Sequence, residues 1–210
     1  MTKIAIYGGS FNPIHHGHIA LARQVIRKEL ADEVWFMVSP VNPFKKDQQT
    51  SLLDDEQRYQ LVCKAVERKQ RLVASDFEFS LPKPSYTWRT MRALREAYPD
   101  NKFSLLIGAD NWIKFDRWAN SEELLQNYEI LVYPRIGYNI AEHTLPENVH
   151  LIGVKTYDVS STEIRQRIMK GQSVREFLPT AAADDIIRIY TEFLNKPKPK
   201  ITNKKRTKKQ

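Results

Sequence analysis

Ile4-Ala5-Ile6-Tyr7-Gly8-Gly9-Ser10-Phe11-Asn12-Pro13-Ile14-His15-His16-Gly17-His18 decides the fold of this chain. The first four residues are a short apolar run of the kind that makes a buried strand. Directly after His18, apolar residues return at Ile19, Ala22, Val25 and Ile26, a helical spacing that predicts a helix over 16–29. Asn12-Pro13 is a turn signal between the two. Three of the five histidines therefore sit where a strand turns into a helix. Such a place collects anions, because the first N–H groups of a helix lack partners and the helix dipole is positive there. Histidine adds side-chain donors to the same spot. The stretch reads as a phosphate-handling site at the end of the first strand.

The pattern continues along the chain. Strand-like runs fall at 3–7, 34–38, 71–74, 103–107, 129–133 and 149–154. Helical stretches lie between most of them, at 55–68 with Tyr59, Val62, Cys63 and Val66 at helical spacing, and at 87–97 with Trp88, Met91, Leu94 and Tyr98 on one side. Alternation of this kind predicts an α/β fold, a doubly wound Rossmann-like parallel sheet with helices on both faces. Right-handed crossovers place ligands beyond the carboxyl ends of its strands. The C-terminal part reads as helical. Ser160 and Glu163 form a capping box opening a helix to about Met169, and Gly171 is its stop. Ile186, Ile187, Tyr190, Phe193 and Leu194 form an apolar stripe read as core packing alone.

A chain of 210 residues fits a single domain over 1–195, large enough to bury a core without staples. Its 41% hydrophobic and 28% charged residues are ordinary for a soluble protein. No apolar run approaches the ~20 residues that span a membrane, and no signal peptide is evident. The lone Cys63 fits a reducing, cytoplasmic location. The net charge of +8 is concentrated in residues 196–210, which hold eight basic residues and no acid. Without them 25 basic residues face 25 acidic ones. A neutral body argues against specific nucleic-acid binding, whose basic stripe should lie on the fold itself. The tail, with Pro197 and Pro199, reads as a disordered, solvated end.

Several chemistries are excluded. There is no Gly-x-x-x-x-Gly-Lys-Ser/Thr, and Gly8-Gly9 does not continue into Gly-x-Gly-x-x-Gly. No His-Glu-x-x-His or cysteine pair provides zinc ligands, and His15 and His18 have no nearby carboxylate to complete a metal set, so no protein-held metal is expected. The positive reading of the residues themselves is phosphate handling; nucleotidyl transfer, in which one nucleotide's phosphate attacks the α-phosphorus of a nucleoside triphosphate and pyrophosphate leaves, is what the family resemblance of residues 9–18 and 160–165 implies. The nucleophile is already anionic, so positioned donors and cations matter more than a strong base. His15, His18, Lys45 and Arg165 are groups of that kind. Gly8, Gly9 and Gly17 suit close backbone approach to a ligand.

Gly-Ser-Phe-Asn-Pro followed by His15-His16-Gly17-His18 resembles the His-x-Gly-His nucleotidyltransferases, and Ser160-Ser161-Thr162-Glu163-Ile164-Arg165 resembles their second signature, Ser-Ser-Thr-x-x-Arg. With the intervening motifs and their order, residues 3 to 194 resemble the bacterial nicotinate-nucleotide adenylyltransferases. That resemblance implies transfer of the adenylyl group of ATP to nicotinate mononucleotide in NAD biosynthesis, with Mg²⁺ carried on the ATP phosphates. It implies that His15 and His18 contact the triphosphate, His18 stabilising the transition state, while His16 holds the variable position. Gly8, Gly9, Ser10, Phe11 and Gly17 line the nucleotide loop, Phe11 being open between that role and the core. Ser160, Ser161 and Thr162 join Arg165 on the triphosphate. Pro43-Phe44-Lys45 matches the family's Pro-Pro-His-Lys in part, with Lys45 or Lys46 reaching phosphate.

For the mononucleotide, the resemblance implies that Ser85-Tyr86-Thr87 reads the acid group with backbone amides, Ser85 being the expected helix cap. Trp88-Arg89 departs from the family and leaves a role for Arg89 open. Gly108-Ala109-Asp110 and Trp118 match Gly-x-Asp…Trp, Asp110 toward ribose and Trp118 stacking on the pyridine, with Trp112 more suited to packing. Arg135, after Tyr133-Pro134, is a further phosphate or substrate contact. The rivals are phosphopantetheine adenylyltransferase, which shares both signatures, a non-catalytic nucleotide sensor, and nucleic-acid binding through the tail. Homo-oligomerisation is left open by the sequence.

Overall fold

The computed structural model describes residues 1–40, 52–141 and 144–195. Lys45, Lys46 and the basic tail lie outside the described residues. Among the described residues, six parallel strands form one sheet: β1 (Thr2–Gly9), β2 (Glu33–Val38), β3 (Leu72–Ser75), β4 (Asn101–Gly108), β5 (Glu129–Tyr133) and β6 (Val149–Leu151). Their spatial order is β3-β2-β1-β4-β5-β6. The chain thus winds one way from β1 to β3 and the other way from β4 to β6, and the order reverses between β1 and β4. That switch point is where doubly wound sheets bind ligands. The register aligns the strand ends that matter, with Gly9 opposite Val38 and Gly108 opposite Tyr133.

Seven α-helices accompany the sheet among the described residues: α1 (His16–Arg27), α2 (Asp55–Val66), α3 (Thr87–Ala97), the short α4 (Ala109–Trp112), α5 (Ser121–Asn127), α6 (Ser161–Met169) and α7 (Ala183–Asn195). Alternate strand residues face opposite sides, so each strand feeds two cores. Ala5, Tyr7, Val34, Phe36, Val38, Leu106 and Leu131 pack under α1, α2, α6 and α7. Ile4, Ile6, Met37, Leu105, Ile107 and Ile130 pack against Met91 and Leu94 of α3 and Leu124 of α5. Burial on both faces is why the strands read as continuous apolar runs rather than alternating ones.

Local signals mark several helix ends. Asp54 caps α2, accepting from the N–H groups of Glu56 and Gln57 at 3.1 and 3.3 Å. Ser160 caps α6 through Glu163 N–H at 3.1 Å, but the expected capping box is only half made, because the Glu163 carboxylate pairs with Arg167 at 3.0 Å instead of reaching back; Gly171 follows that helix with φ of +65°, a conformation only glycine adopts freely. Three further expectations need correction. Ser85 does not cap α3; Tyr86 holds the cap position with extended backbone and no side-chain cap bond, because the helix begins one residue later. The buried face of α2 is carried by Arg58, Leu61, Val62, Ala65 and Val66, leaving Tyr59 and Cys63 half-exposed. The last strand ends at Leu151, short of residue 154, because the chain leaves the sheet edge to build a cavity wall.

Candidate active site

The loop after β1 is held by groups remote in sequence. Arg165 Nη1 donates to the carbonyl of Asn12 at 2.6 Å, and Ser161 Oγ donates to the carbonyl of Pro13 at 2.8 Å. Arg165 Nη2 also meets Thr162 Oγ1 at 3.3 Å. The two signature segments therefore touch, and the N-termini of α1 and α6 converge. Each brings a positive dipole end and unpaired N–H groups. Ser160 spends its hydroxyl on the cap, Ser161 on Pro13 and Thr162 on Arg165, so these three shape the site before any ligand arrives.

His15 caps α1 and is 6% exposed, with its Nδ1 unpartnered among the described residues. The His15 and His18 rings stack with centroids 3.6 Å apart. The backbone N–H of His15 donates to His18 Nδ1 at 3.2 Å. That bond assigns the tautomer: Nδ1 accepts, so the proton sits on Nε2, which is left as a donor. Burial, then the Arg135 charge, lowers the His15 pKa to about 3. Burial, then His15 and Arg135, holds His18 well below the ordinary range. Both rings are thus neutral donors at neutral pH. Gly17 suits this stack, since a Cβ there would lie 3.0 Å from His15 Nδ1 and from Val159 Cγ1, and those side chains would have to give way. His16 points outward and is exposed.

A cavity of about 260 Å³ opens beside the stacked rings, lined among others by Tyr7, His15, His18, Asp110, Arg135 and Ser160. Asp110, at the end of β4, pairs with Arg135, beyond β5, at 3.5 Å. Gly108 makes room for this pair; a Cβ would fall 2.4 Å from Asp110 Oδ1. Arg135 Nη2 donates to Tyr133 Oη at 3.1 Å. The far wall runs from Val154 to Ser160. It is pinned by Gln24, whose side chain donates to the Lys155 carbonyl at 3.0 Å and accepts from its N–H at 2.7 Å. Asp110 and Arg135, expected on the mononucleotide, share this cavity with Ser160 and the histidines.

Other expected residues fall elsewhere. Phe11, 2% exposed, meets Tyr7, Phe36 and His18 edge-on at 5.6, 5.4 and 5.1 Å, so its side chain belongs to the core. Gly8 faces open space, and Gly9 lies against the Phe11 ring. Ser85, Tyr86 and Thr87 stand at the start of α3, outside the cavity lining. Trp112 packs on Phe115 as expected, but Trp118 also packs on it, at 5.2 Å in each case, and both indoles are half-buried. Arg89 lies over the Tyr86 and Trp88 rings at 5.6 and 5.2 Å, its Nη1 donating to the Pro82 carbonyl.

Two supporting residues escaped the sequence reading. Arg58, wholly buried, donates to the carbonyls of Leu53 at 2.9 Å, Ser10 at 2.6 Å and Ser39 at 3.1 Å, and pairs with Asp55 at 2.6 Å. It ties the end of β1 to the end of β2. The signal was an arginine one turn before Leu61 and Val62, on the apolar face of a helix. Tyr190 of α7, read as packing alone, donates through Oη to Asn12 Oδ1 at 2.6 Å. Nothing local marks that contact.

Comparison with known proteins sets these features in context. Residues 6–167 match the family model described as cytidylyltransferase-like. The chain is 49% identical over 187 residues to the probable nicotinate-nucleotide adenylyltransferase of Bacteroides fragilis strain YCH46, covering 89% of this chain and 92% of that one. Its counterpart of the same name in Porphyromonas gingivalis is 40% identical, with 92% and 98% covered. Among solved structures, Plasmodium falciparum nicotinic acid mononucleotide adenylyltransferase complexed with NaAD shares the fold, with a TM-score of 0.76, 20% identity, and 92% and 98% of the two chains covered.

Proposed function

The chain belongs to the nicotinate-nucleotide adenylyltransferases of the cytidylyltransferase-like family, and on that premise we propose that it transfers the adenylyl group of ATP to nicotinate mononucleotide, forming nicotinate adenine dinucleotide and pyrophosphate. The observation that carries this reading is the contact between the two signature segments, Arg165 on Asn12 and Ser161 on Pro13. It brings two helix N-termini together beside two neutral imidazoles, with the Arg165 guanidinium on the loop between them, a donor set suited to phosphate oxygens.

In this reading the mononucleotide phosphate attacks the α-phosphorus in line. A phosphorus–oxygen bond forms as the bond to the bridging oxygen breaks, and pyrophosphate leaves. His18 Nε2–H donates to the phosphoryl oxygens as their charge grows, and His15, Arg165 and Lys45 hold the chain of phosphates. The cavity lined by Asp110 and Arg135 seats the nucleoside part of ATP. Among the described residues no cluster of three or more His, Cys, Asp or Glu is placed to hold a metal. Imidazole and guanidinium donors suit the phosphates instead, so a divalent cation, Mg²⁺, would ride on the triphosphate and supply charge neutralisation when bound.

The Ser85-Tyr86-Thr87 turn offers N–H donors at the start of α3, with no acidic residue in the first turn of that helix. A carboxylate is satisfied there, whereas a carboxamide must also place two donors. The deciding experiment compares pyrophosphate release from ATP with nicotinate mononucleotide, nicotinamide mononucleotide and phosphopantetheine. The acid should be preferred over the amide by about 10²-fold or more in kcat/KM. No release with the acid mononucleotide would overturn the function, and equal values for acid and amide would overturn the recognition mode.

A further inference from the structure

Glu78 is a buried acid that adenylyl transfer leaves unused. It lies on a single 3₁₀ turn after β3, Phe77–Ser80, and is 6% exposed. Its Oε1 accepts from Thr90 Oγ1 of α3 at 2.8 Å, and the same hydroxyl lies 3.4 Å from the Tyr86 carbonyl. This places the carboxyl beneath the turn that opens α3. Its Oε2 has no hydrogen-bond partner among the described residues, and neither has the buried Oγ of Ser85. Burial pushes the Glu78 pKa up, while the hydroxyls of Thr90, Ser39 and Ser85 draw it back. Ser39 and Ser85 thus both lie close enough to act on the carboxyl, yet neither meets Oε2 in full hydrogen-bond geometry.

A buried acceptor next to a buried donor, both unpaired, is costly when a small movement would join them. The cost is understandable if the joined arrangement belongs to the substrate-bound state. We propose that Glu78 is a positioning residue for the mononucleotide site: when substrate binds, Ser85 Oγ–H donates to Glu78 Oε2, and the drawn-in turn sets the N–H groups ahead of Thr87 on the substrate's acid group. Glu78 itself touches no substrate. It is anchored through Thr90 to the second turn of α3, so the new bond fixes the turn relative to the helix it opens. The inference rests on the acid-reading role proposed above for Ser85-Tyr86-Thr87.

The test is steady-state kinetics on the full chain with ATP and nicotinate mononucleotide, for wild type, Ser85→Ala, Glu78→Ala, Glu78→Gln and the double alanine variant. Ser85→Ala should raise KM for the mononucleotide about tenfold, with kcat and KM for ATP changing far less. Glu78→Ala should match it, and the double variant should be no worse than either single one, as for two ends of one bond. Glu78→Gln, whose amide reaches both hydroxyls, should recover most of the affinity. Should Glu78→Ala fail to fold, Ser85→Ala and Glu78→Gln still decide the matter. Additive effects, equal rises in both KM values, or an unshifted mononucleotide KM in Ser85→Ala would overturn the proposal. Wild-type protein that releases no pyrophosphate would overturn the function itself, whereas normal turnover with unshifted variants removes only the role of Glu78.

Discussion

Tyr190 Oη donates to Asn12 Oδ1 at 2.6 Å, across 178 residues of sequence. The same Asn12 oxygen accepts from Leu53 N–H at 3.2 Å, and the Asn12 carbonyl accepts from Arg165. One residue of the first signature is thus the meeting point of α6, α7 and the chain entering α2. Tyr190→Phe keeps the ring and removes the donor. It should lower unfolding free energy by about 1–2 kcal/mol and slow adenylyl transfer severalfold. Urea unfolding and pyrophosphate release check this; unchanged values in both would mean that the ring alone matters.

Arg58 is a stronger case. Its guanidinium is wholly buried and serves three backbone carbonyls and Asp55. Arg58→Ala takes this donor from the three carbonyls and leaves Asp55 with Lys83 at 3.6 Å, and should cost about 3 kcal/mol or more. Arg58→Lys should recover little, because an ammonium cannot reproduce the planar fork. Near-wild-type denaturation midpoints for the lysine variant would show that charge suffices.

His18→Ala should lower kcat by about 10²-fold while ATP binding changes less, because the Nε2 donor acts mainly as charge develops. His16→Ala, at an exposed position, should be mild. Rapid-quench rates and ATP titrations separate the two effects, and an unchanged kcat in the His18 variant would remove its assignment.

The neutral histidines make stability depend on pH. His15 has a folded pKa of about 3, against about 6.5 unfolded. The unfolded chain therefore binds more protons between those values, and stability falls as pH drops below about 6.5. At pH 5 this one group should cost about 2 kcal/mol relative to pH 7.5. Denaturant unfolding of wild type and His15→Gln at the two pH values tests the sign: the variant should lose less on acidification. An equal loss in both would place the acid sensitivity elsewhere.

The sequence by itself determined the sheet and where the two signature segments fall on it. Apolar runs at even spacing, broken by helical periodicity, leave little besides a doubly wound parallel sheet, and both signatures sit at strand-to-helix turns. Tertiary structure decided which groups meet. Local pattern reports which face of an element is apolar, and it does not report what lies across the core. So Arg58 drew no reading at all and Tyr190 read as packing, although each closes a polar contact to a segment far away in sequence. Ser85 looked like a cap because serine before a helix usually is one, yet its hydroxyl is buried beside Glu78, carried in by the preceding 3₁₀ turn. The protonation state of His15 and His18 was equally out of reach. It follows from burial between β1, the cavity wall and Arg135, and only the folded chain assembles that surrounding.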